Sequence, residues 1–280
     1  MAVAARGAPL GGRARGTSGR VRPRHARRAG RRCACGASTD AAPGAEAAAT
    51  TETETAASPP AKGRVLVLGA SGGVGKQTVE LLQEAGFLVR AAVKDPAKRT
   101  ATQCDDVVVL DVTQYETLPA AFDGVDAVVI ACATTDFSNP FSPALVEYNG
   151  TKNVVAAARN TSAPRLVLVT SLGTEAPLLN PLNLAFGILS FKRLAEEEVQ
   201  RSGLGYTIIR PGGLSNEAVP GKVQLKRRGE AATGRVWRRD VARACVAAIE
   251  APDLADNKIV EMIAVEGAPD RELADMFGDI

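Results

Sequence analysis

The stretch RVLVLGASGGVGK at residues 64–76 constrains this chain more than any other part of it. An apolar run over 65–68 reads as a buried strand, breaks at Gly69 and resumes as a helical pattern from about Val74. Gly69, Gly72 and Gly75 stand three apart, and each has its own reason to lack a side chain. The first lets the chain leave the strand in a tight turn, the second lets backbone approach a pyrophosphate, and the third lets the new helix lie close on the sheet. The amides at the positive end of that helix then suit the phosphates of a dinucleotide. The rival phosphate loop, GxxxxGK followed by Ser or Thr, fails at both ends. Ala70 stands where its first glycine belongs, and Gln77 follows Lys76.

The chain has 280 residues, and its two ends differ in kind. Residues 1–39 hold ten of the 34 Lys and Arg, none of the 31 Asp and Glu, the one histidine (His25), and Cys33 and Cys35. An Arg-rich, acid-free leader without an apolar core has the composition of an organelle transit peptide. A basic arm for nucleic acid is the alternative, but the leader has no aromatics to stack on bases. Plastid is the expected destination and mitochondrion the runner-up. Without the leader the rest of the chain carries a formal net charge of −7, so a nucleic-acid role for it loses its main support. Residues 40–62, rich in Ala, Thr, Glu and Pro, have no apolar periodicity and read as a disordered linker. Residues 63–280 are the expected folded unit, a normal size for one α/β domain.

In that domain Cys104, Cys132 and Cys245 are widely spaced with no CxxC pair, which argues against structural zinc or a disulfide framework. No metal site is expected, and with no histidine in the domain imidazole catalysis is excluded. The longest uncharged run, 176–191, is broken by Pro177 and Pro181 and is too short for a spanning helix, so a soluble protein without a transmembrane segment is expected.

Strands and helices alternate along the domain. Helical spacing covers 74–85, with Gly86 as the stop, and 87–93 is a second strand. At its end stand Lys94, Asp95 and Lys98. A cation here favours the 2′-phosphate of NADP over NAD, against the plain reading of Lys94 as a solvated strand end. A third strand at 107–110 ends at Asp111, whose carboxylate suits the adenine amino group or a helix cap equally well. A fourth, at 125–130, is followed by the small residues Ala131, Cys132 and Ala133, where a cofactor would pass. A thiol beside the nicotinamide is one reading of Cys132, and a small buried residue is the plainer one. A helix over 145–158, a strand at 166–169 leading to Thr170 and Ser171, a helix over 184–201 bearing Lys192, and a strand at 206–209 follow. The last leads into Arg210, Pro211, Gly212 and Gly213, read as a sharp turn at the carboxyl edge of the sheet, where open α/β proteins bind ligands. A polar segment to Gly234, a helix capped by Asp240 through Glu250, and a strand over 259–265 complete the domain.

The order GASGGVG, VTSLGT at 169–174, Lys192 inside KRLAEEEVQRSGLGYTIIRPGGL, and RRDVA at 238–242 resembles the atypical short-chain dehydrogenase/reductases over essentially all of 63–280. Within them it looks most like plastid proteins related to the redox-sensing component of the inner-envelope translocon. The resemblance implies a doubly wound Rossmann-type parallel sheet with NADP(H) across its carboxyl edge. It implies pyrophosphate contacts from Gly69, Ser71, Gly72, Val74 and Gly75, with Lys94 at the 2′-phosphate and Asp111 and Val112 at adenine. Ala131, Cys132 and Ala133 would lie on the adenosine ribose side, Lys192 at the nicotinamide ribose, and Pro211, Gly212 and Gly213 at the carboxamide. Ser171 and Lys192 match the family's catalytic serine and lysine. The family's proton-donating tyrosine, four residues before the lysine, is replaced by Ile188; Tyr148 is the one plausible stand-in, and Tyr206 reads as core.

Two functions follow as expectations. One is an NADP(H)-dependent oxidoreductase on an unidentified small plastid substrate. The other is a non-catalytic NADP(H)-binding redox sensor or scaffold of a chloroplast complex. The translocon-like proteins carry a long carboxyl-terminal repeat region that docks a flavoenzyme; the resemblance does not include it, so docking by that route is not expected. Peripheral association with a plastid membrane or complex stays open, with the apolar 178–191 segment as a docking face or, more simply, a pocket wall. An RNA-associated role depends on the basic leader remaining in the mature protein.

Overall fold

The computed structural model describes residues 62–280 apart from 100–101, 105, 162–163, 176–182, 184–185 and 232. The expected leader at 1–39 and nearly all of the linker at 40–62 lie outside the described residues, as does much of the apolar 178–191 segment. In chain order the elements are β1 (Arg64–Leu68), α1 (Gly73–Glu84), β2 (Leu88–Val93), β3 (Asp106–Val109) and β4 (Ala127–Ile130). A π-helical turn (Ala144–Gly150) runs into α2 (Thr151–Arg159), followed by β5 (Arg165–Val169), α3 (Ile188–Gln200) and β6 (Tyr206–Pro211). The chain closes with β7 (Gly213–Ser215), β8 (Lys222–Arg227), β9 (Arg235–Trp237), α4 (Arg238–Glu250), α5 (Pro252–Ala255), β10 (Lys258–Val265) and α6 (Leu273–Gly278).

The main sheet has the order β3-β2-β1-β4-β5-β6-β10-β8, and β7 pairs with β9 in a separate two-stranded ribbon. All neighbours in the main sheet are parallel except β8, which runs antiparallel to β10 at the edge. This is the Rossmann-type, doubly wound α/β fold, as expected, in a single domain. β1 shows why the strands are apolar throughout. Val65 and Val67 enter the core layer under α1, α4 and α6, while Leu66 and Leu68 enter the layer under α2 and α3. A strand covered on both faces has no polar side to alternate with. Strand order reverses at β1, between β2 and β4, and a ligand crevice forms at the carboxyl ends where that happens.

Four local expectations are corrected. The segment before Gly234 is not merely polar: it forms β7 and β8, β9 follows directly after it, and β8 (KVQLKR) reads as polar because it is an edge strand with little buried besides Leu225. Asp240 does not cap α4; Trp237 is the N-cap, and Asp240 sits in the first turn, accepting from Arg243 at 3.3 Å. The helix expected over 145–158 opens as the π-helical turn. The turn expected at 211–213 is largely strand: β6 extends through Pro211, the Gly212 amide donates to the Met262 carbonyl at 2.9 Å, and β7 begins at Gly213. Among the described residues no helix is long and apolar enough to cross a membrane.

Candidate functional site

The glycine turn sits at the carboxyl end of β1. Gly69 has a φ of +80°, a conformation that side chains resist, and a Cβ there would lie 2.8 Å from the Ala131 carbonyl oxygen. A Cβ on Gly75 would overlap the Gly69 carbonyl oxygen, and one on Gly72 would lie 3.1 Å from it. The Gly72 amide closes the turn onto that same oxygen at 2.9 Å. That amide is therefore already spent. The amides of the first turn of α1 have no acceptor within the helix. Gly72 supplies no side-chain cap and the first turn carries no acid, so the positive end of α1 is left open beside exposed Ser71 and buried Val74.

Lys94, just past β2, is exposed, and its ammonium lies 2.9 Å from the Asp111 carboxylate. Asp111 also accepts from the Thr113 amide at 2.9 Å and the Thr113 hydroxyl at 2.8 Å, a local turn rather than a helix cap. Burial works to raise the Asp111 carboxyl, but the Thr113 amide and Lys94 outweigh it and hold it below its ordinary value. Val112 is buried against Gly150, where a Cβ would come within 2.8 Å of its side chain.

Beyond β4, Ala131 and Cys132 are half-buried and Ala133 is exposed. Burial, with the Glu147 carboxylate adding to it, pushes the Cys132 thiol up to about 12. The plainer reading of Cys132 is favoured, because a thiol so placed stays protonated at neutral pH. Lys192, on the buried face of α3, points its ammonium at Glu147, 2.7 Å from Oε2, and the other carboxylate oxygen accepts from the Thr134 amide at 2.9 Å. The two side chains are only 10% and 4% exposed, so this pair is locked in place. Beside it the buried Thr134 hydroxyl has no partner among the described residues. Half-buried Ser171 donates to the Leu172 carbonyl at 3.0 Å, while Ile188 opens α3 and Tyr148 lies half-buried on the π-helical turn.

A second buried charge cluster underlies this edge. Arg210, near the end of β6, grips Glu196 with two bonds of 3.0 and 2.6 Å. It also pairs with Glu175 at 2.8 Å and lies 3.7 Å from Glu261. Glu196 accepts from the Thr170 hydroxyl at 2.6 Å, and Glu261 from the amides of Gly229 and Ala231 at 2.9 and 2.8 Å. Burial works to lower the guanidinium pKa, but Glu196 and Glu175 hold it above its usual value; Glu175 is itself depressed by Arg210 and Arg228 against the effect of burial. Gly212 has a packing reason of its own, since a Cβ there would overlap the Gly234 carbonyl oxygen.

Sequence reasoning missed Glu147, Thr134, Glu196 and Glu261. A signal was present for the acids. Glu147 shares a helical stripe with Thr151, Val154 and Ala158, and Glu196 one with Leu189, Lys192 and Val199, all buried. A carboxylate in a buried stripe needs a partner.

The glycine cradle, the open helix end, the orphaned Thr134 hydroxyl and the cation beyond β2 together suit a dinucleotide. Comparison with known proteins agrees in kind. A family model described as NAD(P)H-binding matches residues 69–252. The chloroplastic protein TIC 62 of Pisum sativum is 32% identical over 258 residues; the match covers 80% of this chain but 48% of that protein, so this chain spans about half its length. Sanguinarine reductase of Eschscholzia californica is 30% identical over 236 residues, covering 69% of this chain and 86% of the enzyme. Among solved structures, a putative NAD-dependent epimerase/dehydratase of Bacillus halodurans superposes with a TM-score of 0.70 at 29% identity, covering 78% of this chain and all of that one.

Proposed function

The chain belongs to the NAD(P)H-binding family of atypical short-chain dehydrogenase/reductases, and from that premise we propose that it is an NADPH-dependent reductase of a small, conjugated, largely apolar acceptor in the chloroplast. The chloroplastic relative supports the location, and the reductase relative supports the reaction class. The observation that carries the proposal is the buried Lys192–Glu147 pair, held beside the same sheet edge as the open glycine cradle.

In this reading the first-turn amides of α1 hold the pyrophosphate, Lys94 takes the 2′-phosphate, and Asp111 and Val112 face adenine. NADP is favoured over NAD because the residue just past β2 is a cation, tethered by Asp111 yet exposed enough to reach a phosphate. Ala131, Cys132 and Ala133 line the ribose side, and Lys192, oriented by Glu147, meets the nicotinamide ribose together with the Thr134 hydroxyl. Pro211, Gly212 and Gly213 close the carboxamide end. The bound cofactor supplies the hydride. Ser171 orients the acceptor oxygen through its hydroxyl.

The choice of acceptor follows from proton supply. Ile188 stands where the family tyrosine would donate, and the Cys132 thiol holds its proton too firmly to give it up near neutrality. An acceptor whose added charge spreads over a conjugated system needs no donor at one fixed oxygen, and it can take its proton from water. The surface agrees. Phe137 and Phe141 follow β4, Phe186 precedes α3 and Leu214 follows β6; all are exposed in segments leaving the carboxyl edge of adjacent strands. Flat apolar ligands bind such rings by stacking.

A second reading, an NADP(H)-binding redox sensor without turnover, is favoured by Ile188 alone. One experiment separates the two: titration of the protein with NADPH and NADH, then NADPH consumption with quinones and enones against simple ketones. The reductase reading expects tighter NADPH than NADH, and turnover on quinones or enones that falls at least a hundredfold in Lys192→Ala and about tenfold in Ser171→Ala. Binding without turnover on any acceptor supports the sensor, and no dinucleotide binding removes both.

A further inference from the structure

We propose that Arg238, contributed by the start of α4 far along the chain, is a pyrophosphate-binding residue of the cofactor site. The proposal rests on the reading of the glycine turn as a dinucleotide cradle. Its starting point is Gly73, the first residue of α1 and not one of the three spaced glycines. A Cβ on Gly73 would lie 2.7 Å from Cδ of Arg238 and 2.9 Å from its Nε. The missing side chain makes room for an arginine packed against the first residue of the helix.

The fold puts it there by two contacts. α4 packs beside α1 in the same core layer, and β9 pairs with β7 so that Trp237 stands opposite Ser215. Arg238 follows immediately and crosses to the glycine turn.

Charge makes the placement informative. The N-terminal end of a helix is positive, so a guanidinium resting on it is unfavourable unless an anion lies between. The first turn of α1 has no acidic residue to play that part. Nor does Arg238 form an ion pair among the described residues, whereas neighbouring Arg239 pairs with Glu80 and Glu84 and Arg243 with Asp240. Its side-chain partner among the described residues is neutral: Nη1 donates to the Asn216 side-chain oxygen at 2.5 Å. A guanidinium has five N–H donors, and one bond to Asn216 leaves most of them for a ligand. A pyrophosphate seated on the first-turn amides would supply the missing anion and satisfy both the helix end and the arginine. Asn216 then holds the side chain over the turn in advance, which ties the ribbon of β7 and β9 to the cofactor.

The test is calorimetric titration of the full chain with NADPH and with adenosine 2′-monophosphate, which keeps the adenine and the 2′-phosphate but lacks the pyrophosphate. Arg238→Met should weaken NADPH by about tenfold to a hundredfold, the worth of one or two charge-assisted hydrogen bonds, and leave the monophosphate within about twofold. Arg238→Lys should recover part of the loss, and wild-type binding of NADPH should fall more steeply with salt than that of Arg238→Met. Thermal unfolding checks that each variant is folded, and Arg238→Gln replaces the Met variant should that fail. Equal NADPH affinity in wild type and variant overturns the proposal, as does a parallel loss for both ligands, which marks a structural role. Failure of the wild type to bind NADPH at all is a different result and overturns the cofactor reading beneath it.

Discussion

The turn between β1 and α1 and the edge formed by β5, α3 and β6 face the same crevice but are built by opposite means. At the first, backbone makes the site: glycines let main chain pass within contact distance of main chain, and the working groups are amides at a helix end. At the second, side chains make it. Lys192 reaches Glu147 45 residues away, and Arg210 gathers Glu196, Glu175 and Glu261 from a helix, a loop and a strand. A backbone site is intolerant of added atoms, whereas a buried-charge site is intolerant of removed ones. The contrast fits the proposed tasks, since amides can hold phosphates whatever side chains are present, while a reacting group has to be oriented by specific neighbours.

The largest expected effect breaks the second region. Glu196→Ala leaves the Arg210 guanidinium, 3% exposed, without its two-bond partner, and should cost about 3–5 kcal/mol in denaturant unfolding. Glu197→Ala is the internal control. Glu197, next to Glu196 on the same helix, makes two ion pairs at the surface, to Arg193 and Arg201, and their loss should cost no more than about 1 kcal/mol. Equal costs for the two would abolish the distinction between buried and surface charge on α3.

Next in size is damage to the backbone-built region. Gly75→Ala drives a methyl into the Gly69 carbonyl oxygen, so the turn has to open, at about 1–3 kcal/mol of stability. Dinucleotide affinity should fall by more than the stability loss explains, and a titration in parallel with unfolding checks this. A smaller effect sharpens the cofactor assignment. Lys94→Ala should weaken NADPH about tenfold and leave NADH unchanged, a difference of about 1.4 kcal/mol; equal weakening of both would place the residue outside the 2′-phosphate site.

The smallest effect concerns alkali. Burial raises the thiols of Cys132 and Cys245 from 9.0 to about 12. Between those values the unfolded chain loses thiol protons that the folded chain keeps, so stability is fully present below about pH 9 and falls as pH rises toward 12. Cys245→Ala should flatten that slope by the share of one thiol, read as the unfolding midpoint against pH.

Residues 64–76 made the first β-α unit legible because every signal in it is local: an apolar run, glycines at fixed spacing, and a helical stripe. The parallel sheet followed from the alternation of strands and helices together with the resemblance, while the strand order, and with it the crevice beside β1, belongs to the tertiary structure. The Ser171 and Lys192 positions were legible only through the resemblance of their flanking motifs. β7, β8 and β9 were not, because short and edge strands lack a buried face on each side to imprint a pattern. Asp240 was misread as a cap because an acid near a helix start serves equally well one turn further in.

By itself, then, the sequence determined the Rossmann-type sheet, the glycine turn after β1 and the acidic character of the folded domain, since each depends on composition or on spacings within a dozen residues. Tertiary structure alone decided that Glu147 would hold Lys192, that three glutamates would surround Arg210, and that Arg238 would cross to Gly73. Those are meetings between residues far apart in the chain. Their energies depend on how deeply the partners are buried and how closely they approach, and both are fixed only when the sheet and its helices have packed.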